Sequence, residues 1–188
     1  MNRKKGNEIM PNILVVLGSA REGRIADVIA PFVTDELKLR EGVTTTIADL
    51  KELDLPFYNH PMSPAQPGFV PTDERVVAWT KLVADADGVI FLTPEYNHAL
   101  TAIQKNAIDW IKNEWVGKPV SLVAYGWSGG SLAIEDADKV LTFLETSLQR
   151  TYTHIFFTKE IAPDGAVIDE AKIVASVKAT VDELLSVV

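Results

Sequence analysis

Three loops in this chain carry residues that could do chemistry. The first reads Gly18-Ser19-Ala20-Arg21-Glu22-Gly23-Arg24-Ile25, between an apolar run and a helical stretch. Backbone N–H groups at a helix start, small or hydroxyl-bearing positions and two guanidinium groups suit an anion, phosphate above all. The plainer reading of this loop alone is a βα turn with surface arginines. Its spacing nearly matches the triphosphate loop G-x-x-x-x-G-K-S/T. Arg24, however, stands where the lysine belongs, and Ile25 where a hydroxyl would hold magnesium. A triphosphate hydrolase is therefore disfavoured, and the dinucleotide pattern G-x-G-x-x-G is absent.

The second loop is Thr93-Pro94-Glu95-Tyr96-Asn97-His98 and the third is Gly126-Trp127-Ser128-Gly129-Gly130-Ser131. A rigid proline, an aromatic ring, an amide and an imidazole after a buried strand can flank a flat heteroaromatic ligand. They can equally form a well-capped turn before a helix. His98 reads as a cap or surface residue in preference to a general acid or a metal ligand. With His60, His98 and His154 as the only histidines, and no H-E-x-x-H spacing, a zinc site is disfavoured. The glycines of the third loop let backbone amides approach a ligand closely. Trp127 reads equally as a stacking residue or a packing anchor, whereas Trp79, Trp110 and Trp115 lie on expected helices and read as core or interface.

The elements that would position these loops follow from hydrophobic periodicity. Short apolar runs at Ile13–Leu17, Gly88–Thr93 and Val120–Tyr125 are almost continuous, as strands covered on both faces are. Val43–Ile47 is β-branched but more polar, which suits a strand nearer an edge, and Tyr152–Phe157 completes the set. Apolar residues at helical spacing predict helices over 25–39, from Thr72 onward, and over 99–115, 131–149 and 169–187. Strict β-α alternation implies right-handed crossovers and a doubly wound parallel sheet. Five strands predict the flavodoxin-like order 2-1-3-4-5, with ligands beyond the carboxyl ends of the strands, where the three loops converge. The proline-rich loop 54–71 cannot be helix or central strand. With no linker or repeat, the expected organisation is a polar tail over 1–10 and one domain over 11–188.

Composition narrows the partners. The chain has 188 residues, a formal charge of −8 and no cysteine. Disulfides, thiolate metal sites and a cysteine nucleophile are excluded. The negative charge disfavours nucleic acid, which needs a basic face. No apolar run approaches a membrane span and no signal-peptide core follows Arg3-Lys4-Lys5, so the expected location is cytoplasmic.

Taken together, Gly18-Ser19-Ala20-Arg21, Pro94-Glu95-Tyr96-Asn97 and Lys105-Asn106-Ala107-Ile108-Asp109-Trp110 resemble the NADPH-dependent FMN reductase family. Gly117-Lys118-Pro119-Val120 and Ser128-Gly129-Gly130 extend the match over roughly residues 12–150. The resemblance implies a flavodoxin-like fold, bound FMN, and ping-pong hydride transfer from NADPH or NADH to flavin, quinone or another small acceptor. It implies that Ser19, Arg21 and Arg24 hold the FMN phosphate. Pro94, Glu95, Tyr96 and Asn97 would line the isoalloxazine, and Ser128, Gly129 and Gly130 would close its other side with backbone amides. It also implies a homodimer or dimer of dimers, here expected through the apolar face of helix 99–115. No catalytic side chain is nominated, because hydride chemistry belongs to the flavin. The chain departs from the family at Thr101-Ala102, where a Pro-Gly pair is usual, and at Arg24, where serine is commoner. A flavodoxin-like electron carrier and a flavin-less binding module are the rival readings.

Overall fold

The computed structural model describes residues 10–188, so most of the expected tail lies outside it. In chain order the elements are β1 Asn12–Leu17, α1 Ala26–Lys38, β2 Thr44–Asp49, the single turn α2 Leu50–Leu53, α3 Glu74–Ala84 and β3 Gly88–Pro94. Then come α4 Ala102–Asp109, β4 Pro119–Gly126, α5 Ser131–Phe143, β5 Ser147–Leu148, β6 Thr153–Phe156 and α6 Glu170–Leu185. The sheet is parallel with order β2-β1-β3-β4-β5, and β6 also pairs with β4. This is the expected flavodoxin-like order. β3 is buried at every position, and alternate residues of the strands feed two separate cores. Val15 and Ile90 pack with α1 and α6, while Leu14 and Phe91 pack with α3, α4 and α5.

The strand expected at 152–157 is β6, and a further short strand, β5, precedes it on the same edge. β5 lies beside Pro119 and Val120, and β6 beside Val123 to Gly126. Ser147 and Leu148 fall within the stretch expected as helix 131–149, which in fact stops at Phe143. Glu145 adopts φ +63°, the left-handed turn that usually falls to glycine after a helix. A glutamate there gives no sequence signal for a stop. The helix expected from Thr72 instead starts at Glu74, capped by the Asp73 carboxylate on the Arg75 amide.

The helix expected over 99–115 is also shorter. α4 covers Ala102–Asp109, and a 3-10 turn follows at Asn113–Trp115. The break lets Trp110 and Trp115 both turn inward. Trp115 packs against Trp79 and Phe91, and the Trp79 indole N–H donates to the Ala107 carbonyl at 2.7 Å. Trp110 donates to the Pro56 carbonyl at 2.7 Å and lies edge-on to Tyr58. Asn106 completes this clamp on the proline loop, donating to the Pro56 carbonyl and accepting the Tyr58 amide, both at 2.9 Å. Ala107, Trp110, Ile111 and Trp115 are all buried within the chain. Of the apolar positions read as a dimer face on helix 99–115, Trp110 packs on the proline loop and Trp115 on Trp79 and Phe91, while Ile103 is half-buried.

Candidate functional site

A cavity of about 270 Å³ opens at the carboxyl ends of β1, β3 and β4. Of the residues singled out in the sequence, Ser19, Arg21, Arg24, Pro94, Glu95 and Tyr96 border it. Asn97, Ser128, Gly129 and Gly130 do not. The cavity also has walls that sequence reasoning did not nominate: Ile25, Tyr125, and Phe157 and Pro163 beyond β6. Trp127, left open between stacking and packing, stands at its rim. It is 71% exposed, with its ring edge-on to Phe157.

The first loop is built by close approach. A Cβ on Gly18 would lie 2.4 Å from the Gln104 amide oxygen and 2.7 Å from the Leu92 carbonyl, so only glycine fits there. Thr101 both caps α4, accepting the Gln104 amide, and donates to the Gly18 carbonyl at 2.6 Å. The Thr101-Ala102 departure thus fastens the first loop to α4. Ser19 is buried and shares a 2.7 Å hydrogen bond with the Tyr96 hydroxyl, joining the first and second loops. Arg21 is exposed, makes no ion pair among the described residues and stands 5.9 Å from the centre of the Tyr96 ring.

Arg24, expected at the phosphate, is already engaged by the protein. Its guanidinium donates to both Asp49 carboxylate oxygens at 2.6 and 2.5 Å, to the Ser19 carbonyl at 2.8 Å and to Asp27 at 2.9 Å. No nitrogen of the group is left without a protein acceptor, and the side chain is 9% exposed. The hydrogen bonds with Asp49 outweigh burial, raising the Arg24 pKa and holding the Asp49 carboxyl below the usual range. Arg24 therefore braces the Ser19 backbone against the end of β2, and a phosphate would have to compete for it.

Glu95 borders the cavity, and its carboxylate is bonded to the start of α5. It accepts the Ser128 hydroxyl and the Leu132 amide, and His98 Nδ1 lies 3.2 Å from its other oxygen. Burial pushes the Glu95 carboxyl up, but these hydrogen bonds prevail and hold it below the usual range. The second loop is a tight hairpin turn in which Tyr96 and Ala99 exchange both backbone hydrogen bonds at 3.1 Å. Asn97 and His98 occupy its centre at φ +50° and +65°, a primed turn. His98 is exposed there, as a turn residue.

The third loop is glycine-rich for packing. A Cβ on Gly129 would lie 2.7 Å from the Phe156 ring, and one on Gly130 would lie 2.5 Å from the Ala124 methyl. Both residues have positive φ, and the Gly129 amide already donates to the Gly126 carbonyl at 3.1 Å. That amide is not free for a ligand in this conformation. Beneath the loop, Tyr125 is buried at the cavity wall and its hydroxyl has no protein partner. Burial raises the Tyr125 pKa, so the phenol keeps its proton and can donate. No helix among the described residues is long and apolar enough to cross a membrane.

A sequence model of the family described as NADPH-dependent FMN reductase matches residues 11–156. An NAD(P)H-dependent FMN reductase of Schizosaccharomyces pombe is 34% identical over 160 residues, covering 85% of this chain and 80% of its own. A quinone reductase of Escherichia coli K12 is 30% identical over 139 residues, covering 71% and 70%. Among solved structures, FerB of Paracoccus denitrificans, a flavoenzyme NAD(P)H:(acceptor) oxidoreductase, superposes with a TM-score of 0.72. It is 26% identical, with 94% of this chain and 98% of FerB covered.

Proposed function

The chain belongs to the NADPH-dependent FMN reductase family, and on that footing we propose that the cavity at the ends of β1, β3 and β4 holds FMN for the reduction of a quinone-like acceptor. The activity is that of an FMN-dependent NAD(P)H oxidoreductase. The quinone acceptor rests on the relatives' described substrates together with the aromatic rim.

Three features of the site suit FMN. Arg21 offers a guanidinium with no ion-pair partner among the described residues, at the entry to α1 where backbone dipoles favour an anion. The Tyr125 hydroxyl is a buried donor without a protein acceptor. Tyr96, Trp127 and Phe157 supply aromatic surface for a flat ring. The observation that carries the reading is the first: a cation left unneutralised beside a helix start, in a cavity with aromatic walls. An electron carrier would share the fold and the cofactor, but the family match and the FMN reductase relatives disfavour that alternative.

When bound, FMN would supply the hydride and electron chemistry between NAD(P)H and the acceptor. The chain's own residues bind and orient. Arg21 and Ser19 face the phosphate end. Pro94 and Tyr96 form one wall, while Trp127 and Phe157 form the other and limit the water that reaches it. Glu95 fixes the spacing of the two loops. No side chain need abstract or donate a proton for the first half-reaction. Steady-state kinetics with NADPH or NADH and a benzoquinone tests this reading. Parallel double-reciprocal lines are expected from a shared stacking place, and intersecting lines or an absence of FMN-dependent turnover would contradict it.

A further inference from the structure

We propose that Asp49 sets how tightly the chain holds FMN, by occupying the Arg24 guanidinium that would otherwise reach the phosphate. The inference rests on the reading that the phosphate sits at the β1–α1 loop.

Arg24 borders the same cavity as Ser19 and Arg21. It occupies a position from which a second cation would grip a phosphate. Two carboxylates hold it instead. Asp49, the last residue of β2, takes it in a bidentate pair, and Asp27 on the first turn of α1 takes Nε. One positive charge thus faces two negative ones. The cationic pull on an arriving phosphate reduces to Arg21, set against a small excess of negative charge. A phosphate monoester near neutrality carries more than one negative charge, so both the competition for Arg24 and the excess carboxylate weaken its binding. The pair remains useful without the ligand, because Arg24 also supports the Ser19 carbonyl. The consequence is an FMN that exchanges with solvent rather than one held throughout the life of the protein.

Asp49→Asn tests this in the full-length protein. Asparagine keeps a side-chain oxygen for the Lys51 amide that Asp49 now caps at 2.9 Å. Titration with FMN and with riboflavin, followed by flavin fluorescence quenching, should show FMN binding about tenfold tighter, the scale of one charge-assisted hydrogen bond. Riboflavin, which has no phosphate, should be unaffected. Unchanged or weaker FMN binding by a variant with a native circular dichroism spectrum would overturn the proposal. The underlying site reading fails differently. Wild-type protein that binds riboflavin as well as FMN, with no effect of Arg21→Ala, would remove the phosphate from this loop and the inference with it. A selective loss in Arg21→Ala without tightening in Asp49→Asn would sink the inference alone.

Discussion

The Glu95 carboxylate accepts the backbone amide of Leu132 at 3.0 Å, fastening the loop after β3 to the first turn of α5. Three separate properties meet in this contact. The carboxylate satisfies an amide that the helix cannot, complements the positive end of the helix dipole, and fixes the gap between two cavity walls. Because the Glu95 carboxyl is held below its usual value, its ionised form favours the folded state. That contribution is complete at neutral pH and is lost as pH falls from about 4.5 through the depressed value. Glu95→Gln should therefore lower the thermal midpoint at pH 7 and narrow its gap to wild type as the pH falls through that window. A gap that stays constant across the acid range would show that the charge contributes nothing.

Among the described residues, Arg21 is the one cavity cation with its hydrogen-bonding capacity unspent on a carboxylate. Arg21→Ala should weaken FMN binding by about 1.5–3 kcal/mol, the range for a hydrogen bond to a charged group. Riboflavin binding should be nearly insensitive. Equal losses for both ligands would mean that the substitution disturbs the loop rather than the phosphate.

Gly130 combines φ +74° with a Cβ position 2.5 Å from the Ala124 methyl. Gly130→Ala should destabilise the fold by about 2 kcal/mol or more, adding backbone strain to overpacking. Urea titration measures it. A loss below about 0.5 kcal/mol, the ordinary surface range, would show that the third loop relaxes freely and that its glycines serve the ligand instead.

How much of this was legible in the sequence differs between elements. β1, β3 and β4 announced themselves as near-continuous apolar runs, because strands covered on both faces need no alternation. The order of the sheet followed from β-α alternation. Glu145 hid the end of α5, since nothing in a glutamate predicts a left-handed φ. Arg24 could be placed at the cavity from its position in the loop. Its partner Asp49 could not be found, because 25 residues separate them and only the β1–β2 pairing brings them together. The same is true of Phe157 and Pro163, which join the cavity through the β6 side of the sheet. Trp110 was read as a core or interface residue on a helix; it is buried but lies just past the end of α4, and the surface it packs on is a proline loop with no regular pattern.

Trp110 buries its ring within the subunit and donates to the Pro56 carbonyl. Trp110→Ala should cost about 3–5 kcal/mol of stability, as for other buried aromatic truncations, without changing the mass measured by light scattering at a temperature where the variant stays folded. A folded variant whose mass halves would return this segment to a subunit interface.

The most direct test of FMN-dependent oxidoreductase activity is the visible spectrum of the purified protein supplied with FMN, recorded anaerobically before and after one equivalent of NADPH or NADH. A protein-bound flavin band that bleaches with the nicotinamide alone and returns when a benzoquinone is added is the expected result. A bound flavin band unchanged by either nicotinamide would contradict this, as would a protein that binds no FMN even when FMN is supplied in excess.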